Sequence, residues 1–352
     1  MIRTSKMVKN LTYIGEKPAS NNHAGNKARV DVDAILREKY GDPYENLQEI
    51  VFTSFGQKVM YLLNPSNLKQ IWRIQQMHSQ KVIMQYPFYF NPILKKALHD
   101  SLCKNEVIFL IHDVNTLRSF QEADIKSEIE ELNMAKNVIV HNDIMGKALE
   151  KLGLKRPWVS LELFDYLLPS VPQNNFVKGN KVVFAGNLGK SKFLRNPELQ
   201  KLEIKFNLYG PGFKKELLNW DNVSYKGSFL PGEIPYKLEG NFGLIWDGSS
   251  IGICDGPTGL YMQYNNPHKL SLYIAAGIPV IVWENSAIAE FVISHNIGIT
   301  VESLKEVSEK IHLLHDGEYN EMIISVKKLQ QEVVHGNFTK RCLQNVEKLF
   351  LE

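Results

Sequence analysis

Cysteine is the first scarcity. Cys103, Cys254 and Cys342 are the only three in 352 residues, far apart and without a Cys-x-x-Cys pair. That argues against a disulfide framework or a zinc knuckle and for a reducing compartment. Long apolar runs are missing too. No uncharged stretch reaches the ~18 residues of a membrane span, and the first residues carry no apolar signal core. A cytoplasmic protein is the expectation. An excess of one charge is also absent: 41 basic and 38 acidic residues leave a net +3, too even for a nucleic-acid-binding surface. Arg3, Lys6 and Lys9 make the start locally basic, either as a solvated tail or as a contact with a membrane's inner face or with the acceptor. No internal repeat or low-complexity tract occurs. No Gly-x-Gly-x-x-Gly follows an apolar run and no P-loop spacing is present, which argues against an NAD-type oxidoreductase.

What is there reads as α/β. The length is ample for two domains of roughly 100–200 residues each. Apolar runs at 11–14, 50–52, 81–84, 107–111 and 138–140, then at 182–185, 206–209, 242–246, 278–282 and 297–301, lack polar alternation. Continuous runs suit strands covered on both faces, hence parallel sheets with crossover helices. Helical patterns are plainest at 28–39, 68–77, 125–135, 269–276 and 307–314, and Gly277 before Pro279 marks a helix stop. Two prolines and several turn formers within 167–180 predict a break between an N-terminal domain, 1–170, and a C-terminal one, 171–335. Two Rossmann-like domains would face a central cleft, with ligands at the carboxyl ends of strands.

The segment Asn265-Asn266-Pro267-His268-Lys269-Leu270-Ser271-Leu272 enters a helix. Unpaired amides and the positive dipole end, with the Lys269 charge, suit a diphosphate; an ordinary βαβ unit with a surface lysine is the alternative. The loop Gly186-Asn187-Leu188-Gly189-Lys190 follows a strand and allows close backbone approach, or is a plain turn. Phe229 could meet a base, and Asp247 either holds a sugar hydroxyl or caps a turn. In the first half, a polar loop from Gly15 through Glu16, Asn26 and Lys27 opens a helix and could close over a phosphate. The run 107–111 delivers His112-Asp113, a candidate base for an acceptor hydroxyl or a packed turn. After the next strand, Asn142 or Asp143 is read as a helix cap. Asp31-Val32-Asp33 has the form of a metal motif, but side chains two apart on a helix diverge, so it is read as helix surface and no metal site is expected.

Taken in order, Tyr209-Gly210-Pro211-Gly212, Tyr225-Lys226-Gly227-Ser228, Gly243 to Gly248, Tyr264 to Ser271 and Ala275 to Val282 resemble bacterial galactofuranosyltransferases. They are also similar to the glucosyltransferase that extends O-linked GlcNAc on streptococcal serine-rich adhesins. His112 to Arg118 and Ala24 to Ala28 are nearer the galactofuranosyltransferase branch. The resemblance implies a GT-B fold, no metal or cofactor requirement, and a last helix, within 336–352, crossing back to the N-terminal domain. It implies that Lys190 and Lys269 hold UDP phosphates, that residues 267–272 wrap pyrophosphate and ribose, and that Asn26 closes from the other side. The adhesin-modifying member has arginine where Lys190 stands, so the bidentate fork is lost there.

The reading is transfer of a hexosyl unit from UDP-galactofuranose or UDP-glucose to a saccharide hydroxyl in surface glycan or glycoprotein assembly. His112, Asp113 or Glu16 would act as base, and a homo-oligomer is expected. The alternative is a non-catalytic nucleotide-sugar-binding subunit of a glycosylation complex.

Overall fold

A computed structural model of the chain describes residues 11–17, 24–48, 52, 54–119, 122–174 and 176–349. Its strands are β1 (Leu11–Lys17), β2 (Glu45–Gln48), β3 (Lys81–Tyr86), β4 (Glu106–Ile111), β5 (Asn137–Val140) and β6 (Trp158–Ser160), then β7 (Lys181–Ala185), β8 (Lys205–Tyr209), β9 (Val223–Gly227), β10 (Phe242–Ile245), β11 (Val280–Trp283) and β12 (Gly298–Val301). They form two six-stranded sheets, β2-β1-β3-β4-β5-β6 and β12-β11-β10-β7-β8-β9. Every pairing is parallel. This is the expected pair of Rossmann-like units. In the second sheet the order counts as 3-2-1-4-5-6 along its own strands, so its direction reverses between β7 and β10. The first sheet reverses between β1 and β3. A crevice opens above the carboxyl ends of strands at each reversal.

The central strands are apolar throughout because helices cover both faces. β4 is buried from Val107 to Ile111, and β11 from Val280 to Trp283. The helix His268–Ala276 lies across β7 and β10 with Leu270 through Ala276 buried. Tyr273 pins it: its hydroxyl accepts from the Ala185 amide at 2.9 Å and donates to the Leu244 carbonyl at 3.2 Å. Gly243 makes room, since a Cβ there would stand 2.3 Å from the Tyr273 ring. Gly277 ends the helix in the left-handed region at φ 80°.

Three details depart from the sequence reading. Of the run 50–52, residues 50 and 51 lie outside the described residues and Phe52 is in no strand; the strand is β2, earlier in the chain. The helix expected from residue 28 starts at Ala24, so Asn26 and Lys27 sit in its first turn and not in a loop. Loop residues 18–23 lie outside the described residues. Asp31 is not helix surface. It is 4% exposed, paired with Lys27, and accepts from the Leu167 amide at 3.0 Å. Asp33 accepts from the Glu16 amide.

Among the described residues from 161 to 180 there is no helix or strand. That segment is nonetheless tied down: Lys27 donates to the Leu167 carbonyl, the Tyr166 amide to Val333, and Gln330 to Pro172. The helix Asn337–Leu349 spans both units. Phe338 packs with the second core, while Cys342, Leu343 and Val346 pack with Tyr13, Ile35 and Ile83 of the first. Asp165 caps this helix by accepting from the Phe338 and Thr339 amides at 3.2 and 2.7 Å.

Candidate functional site

The β7/β10 crevice gathers the second-half candidates. Gly186 follows β7, and its loop stacks on the one after β8: a Cβ on Gly210 would lie 1.9 Å from the Gly186 carbonyl oxygen, and one on Gly212 would lie 2.7 Å from the Gly189 nitrogen. Both glycines sit at positive φ, 125° and 79°, so only residues without side chains let these turns nest. Asn187 closes the loop, its side chain accepting from the Lys190 amide at 3.1 Å. Lys190 is exposed at the rim. Asp247 follows β10, half-buried, and accepts from the Gly248 amide at 2.8 Å and the Thr258 hydroxyl at 3.0 Å.

Lys269 enters the same crevice from the first turn of its helix. Its ammonium stands 4.9 Å from the Phe184 ring centre, and a Cβ on Gly186 would be 3.2 Å from its Cε. Burial pulls its pKa below the usual lysine value, and the Asp247 carboxylate opposes that shift. A half-buried cation at a helix N-terminus, between two glycine-bearing loops, suits an anion with several oxygens. Pro267 is the N-cap, just before the helix and not within it. Phe229 packs half-buried against Tyr209 and over Gly227, at the β8/β9 side of the crevice.

Other residues expected as ligands are engaged elsewhere. Leu270 and Leu272, 0% and 8% exposed, pack into the core of the second unit, while Ser271 is fully buried and its hydroxyl has no hydrogen-bond partner. Asn266 is spent on the domain contact. Its amide nitrogen donates to the carbonyls of His141 and Glu162, both at 2.8 Å, its oxygen accepts from Asn142 at 2.6 Å, and its backbone amide donates to His141 Nδ1. Asn142 also caps the helix Asp143–Lys151. His268 stacks on Tyr166 at 5.1 Å. Lys27 is committed to Asp31 and Leu167 and lies over the Tyr166 ring.

The β1/β3 crevice holds the first-half candidates. Glu16 lies within β1, in an ion pair with Arg29 at 2.6 Å. A cavity of about 120 Å³ there is lined by Glu16, Lys17, Asn26, Arg29, Tyr89 and Phe90 among others. Arg29 also donates to the Pro87 carbonyl at 2.8 Å. Next to it, Gln85 at the end of β3 donates to the Arg29 carbonyl at 3.3 Å and turns its oxygen to His112 Nε2, 2.6 Å away. A carbonyl oxygen only accepts, so Nε2 carries the proton and Nδ1 is the basic nitrogen. Burial holds His112 well below the usual imidazole range, with Arg29, His141 and His268 adding to the effect. Its ring stacks on Phe164 at 5.2 Å. A neutral imidazole of fixed tautomer can accept a proton. Asp113 lies 3.8 Å from Arg118, and burial raises its pKa. Tyr261, from the second unit, accepts from the Val114 amide at 2.9 Å.

Sequence reasoning missed Arg29, Gln85 and Tyr261. Arg29 carried a readable signal, standing one helical turn after Asn26. Gln85 and Tyr261 matter only through partners distant in the chain.

Two family models match: "Glucosyltransferase 3-like, N-terminal domain" over residues 11–163 and "Glucosyltransferase 3-like, C-terminal domain" over 182–346. The chain is 30% identical to the beta-1,6-galactofuranosyltransferase WbbI of Escherichia coli K12 over 346 residues, covering 96% of this chain and 98% of the relative. It is 30% identical to glucosyltransferase 3 of Streptococcus gordonii over 249 residues, 68% of this chain and 70% of that one. HepE of Anabaena, solved with UDP-glucose, superposes with a TM-score of 0.58 at 12% identity, covering 97% of this chain and 99% of HepE. Sucrose-phosphate synthase of Thermosynechococcus elongatus does so at 0.61 and 11%, over 97% and 99%. The superpositions fit the two-domain GT-B architecture, and the sequence matches, spanning both halves, make the chain a member of the glucosyltransferase 3-like family of glycosyltransferases.

Proposed function

We propose that the chain transfers a hexosyl unit from a UDP-sugar, UDP-galactofuranose or UDP-glucose, to a saccharide hydroxyl of a glycan or glycoprotein on the cytoplasmic side. The observation that carries this is the half-buried Lys269 ammonium at a helix start, facing the glycine-nested loops of the β7/β10 reversal. The diphosphate sits there, with Lys190 closing from the rim and Phe229 toward the base. As UDP departs it gains charge, which Lys269, Lys190 and the helix N-terminus stabilise without metal or cofactor. Asp247 meets the sugar. Across the cleft, His112 Nδ1 takes the acceptor proton while Gln85 holds its ring, Asp113 and Glu16 are the other candidate bases, and Asn26 closes on the donor from the N-terminal side. The division at about residue 170, with residues 336–352 returning to the first domain, belongs to the same reading. So do a homo-oligomeric state and peripheral attachment to a membrane. Support comes from the family, from WbbI and from the UDP-glucose held by a protein of the same architecture.

The test is a panel of UDP-sugars with and without EDTA, with UDP release as the readout. Release with one donor, unaffected by EDTA, is expected. UDP binding without release from any donor would favour the non-catalytic subunit, and strong inhibition by EDTA would overturn the metal-free departure.

A further inference from the structure

The first unit carries an apolar surface that the transfer reaction does not use. Two successive helices, Phe55–Leu63 and Pro65–Gln76, follow β2. Their inner sides are anchored by Tyr61 and Ile74. Their outer sides expose Phe55 (80%), Met60 (69%), Leu62, Leu63 (69%), Leu68 and Trp72 (59%). Large apolar groups so exposed on adjoining helices mark a docking surface and not scattered surface residues.

Charge decides what docks. From residue 54 to 76 the chain has no aspartate or glutamate, and it has Lys58, Lys69 and Arg73. Arg73 is occupied by Glu45 at 2.7 Å, while Lys58 and Lys69 are exposed. A second copy docked about a two-fold axis would bring these lysines together with no carboxylate on either helix to answer them. An anionic bilayer answers both features: acyl chains accept the apolar side chains, headgroups accept the lysines, and an indole such as Trp72 favours the boundary between them.

We propose that the outer face of these two helices docks the protein on an anionic lipid surface. The parallel pairing sets Gln48 at the end of β2 beside Lys17 at the end of β1. The two helices thus continue from a strand that neighbours the one carrying Glu16, in the same unit as the mouth bounded by Glu16 and Tyr89. Docking there holds against the bilayer the unit that carries that mouth. The proposal adds the surface and its lipid to the expected membrane attachment, and it does not depend on which donor is used.

The experiment is co-sedimentation of the full chain with phosphatidylglycerol–phosphatidylcholine vesicles and with phosphatidylcholine vesicles, with light scattering on the free protein. Binding to the anionic vesicles, at least tenfold tighter than to the neutral ones, is expected. A combined Phe55→Ser, Met60→Ser and Leu63→Ser variant should lose it at least tenfold while UDP affinity and the circular-dichroism melt hold. Should that variant misfold, Lys58→Glu with Lys69→Glu gives a second reading, in which the anionic preference disappears. Failure of the wild-type chain to bind either vesicle overturns the proposal. So does an oligomer that the serine variant disperses while vesicle binding persists, because the face would then belong to a second copy.

Discussion

Replacing Lys269 by methionine separates its charge from its packing. Methionine keeps an unbranched stem of similar reach beside Phe184 and Gly186, so the crevice keeps its shape. What goes is one ammonium and its hydrogen bond to an anionic ligand, a loss of about 1.5–3 kcal/mol. At about 1.4 kcal/mol per decade, UDP affinity measured by calorimetry should fall roughly 10- to 150-fold. Stability should move differently. Burial lowers the Lys269 pKa from its ordinary 10.5, so between the lowered value and 10.5 the unfolded chain binds more protons than the folded one. Wild-type stability therefore rises with pH across that window, and the methionine variant should lack this rise. Its thermal midpoint at neutral pH should be no lower, apart from whatever Asp247 loses with its cationic neighbour. A folded variant that binds UDP as well as wild type would refute the assignment of Lys269 to the diphosphate.

Gly210→Ala should be far more damaging than its size suggests, since the added carbon meets the Gly186 carbonyl and the backbone sits at positive φ; a loss of about 2 kcal/mol or more in urea unfolding is expected, with UDP binding lost alongside. Asn266→Ala removes three side-chain hydrogen bonds, one buried and two half-buried, at about 1 kcal/mol each. Unfolding followed by two probes, one in each domain, should show a drop of about 3 kcal/mol and the two transitions separating; coincident, unshifted curves would contradict the role of Asn266 in the domain contact. His112, held low by burial, stays neutral as pH falls through 6.5. The acid limb of kcat/KM should accordingly lie below pH 6.5, and His112→Gln should flatten that limb while lowering the rate roughly 10²- to 10⁴-fold.

The strands legible in the sequence were those with helices on both faces, such as β4 and β11, because full burial writes an unbroken apolar run. β2, with only Leu47 buried, the short β6 and the exposed-patterned β9 lie at or next to sheet edges and carry no such run. Glycines and the residues after strands located the crevices, since those positions are set by local chain geometry. The commitments of Asn266 and Lys27 were not legible. A polar residue before a helix looks the same whether it binds a ligand or a carbonyl 104 positions away, as the Asn266 contact with Glu162 does. Asp31 misled for a similar reason: its Asp-x-Asp spacing describes a helix face, and only the packing of residue 167 against that face makes it interior.

The helix Asn337–Leu349 bears on how the protein is made. Cys342, Leu343 and Val346 complete a cluster otherwise built from residues before 165. A ribosome adding about 5–20 residues per second needs roughly ten to forty seconds to go from there to residue 346. Throughout that interval the first half lacks the side chains that complete this cluster, and Ile35 and Leu343 cannot yet meet. The cluster is therefore completed only late in synthesis, and a nascent chain stalled before residue 342 would leave Tyr13, Ile35 and Ile83 without their last three neighbours.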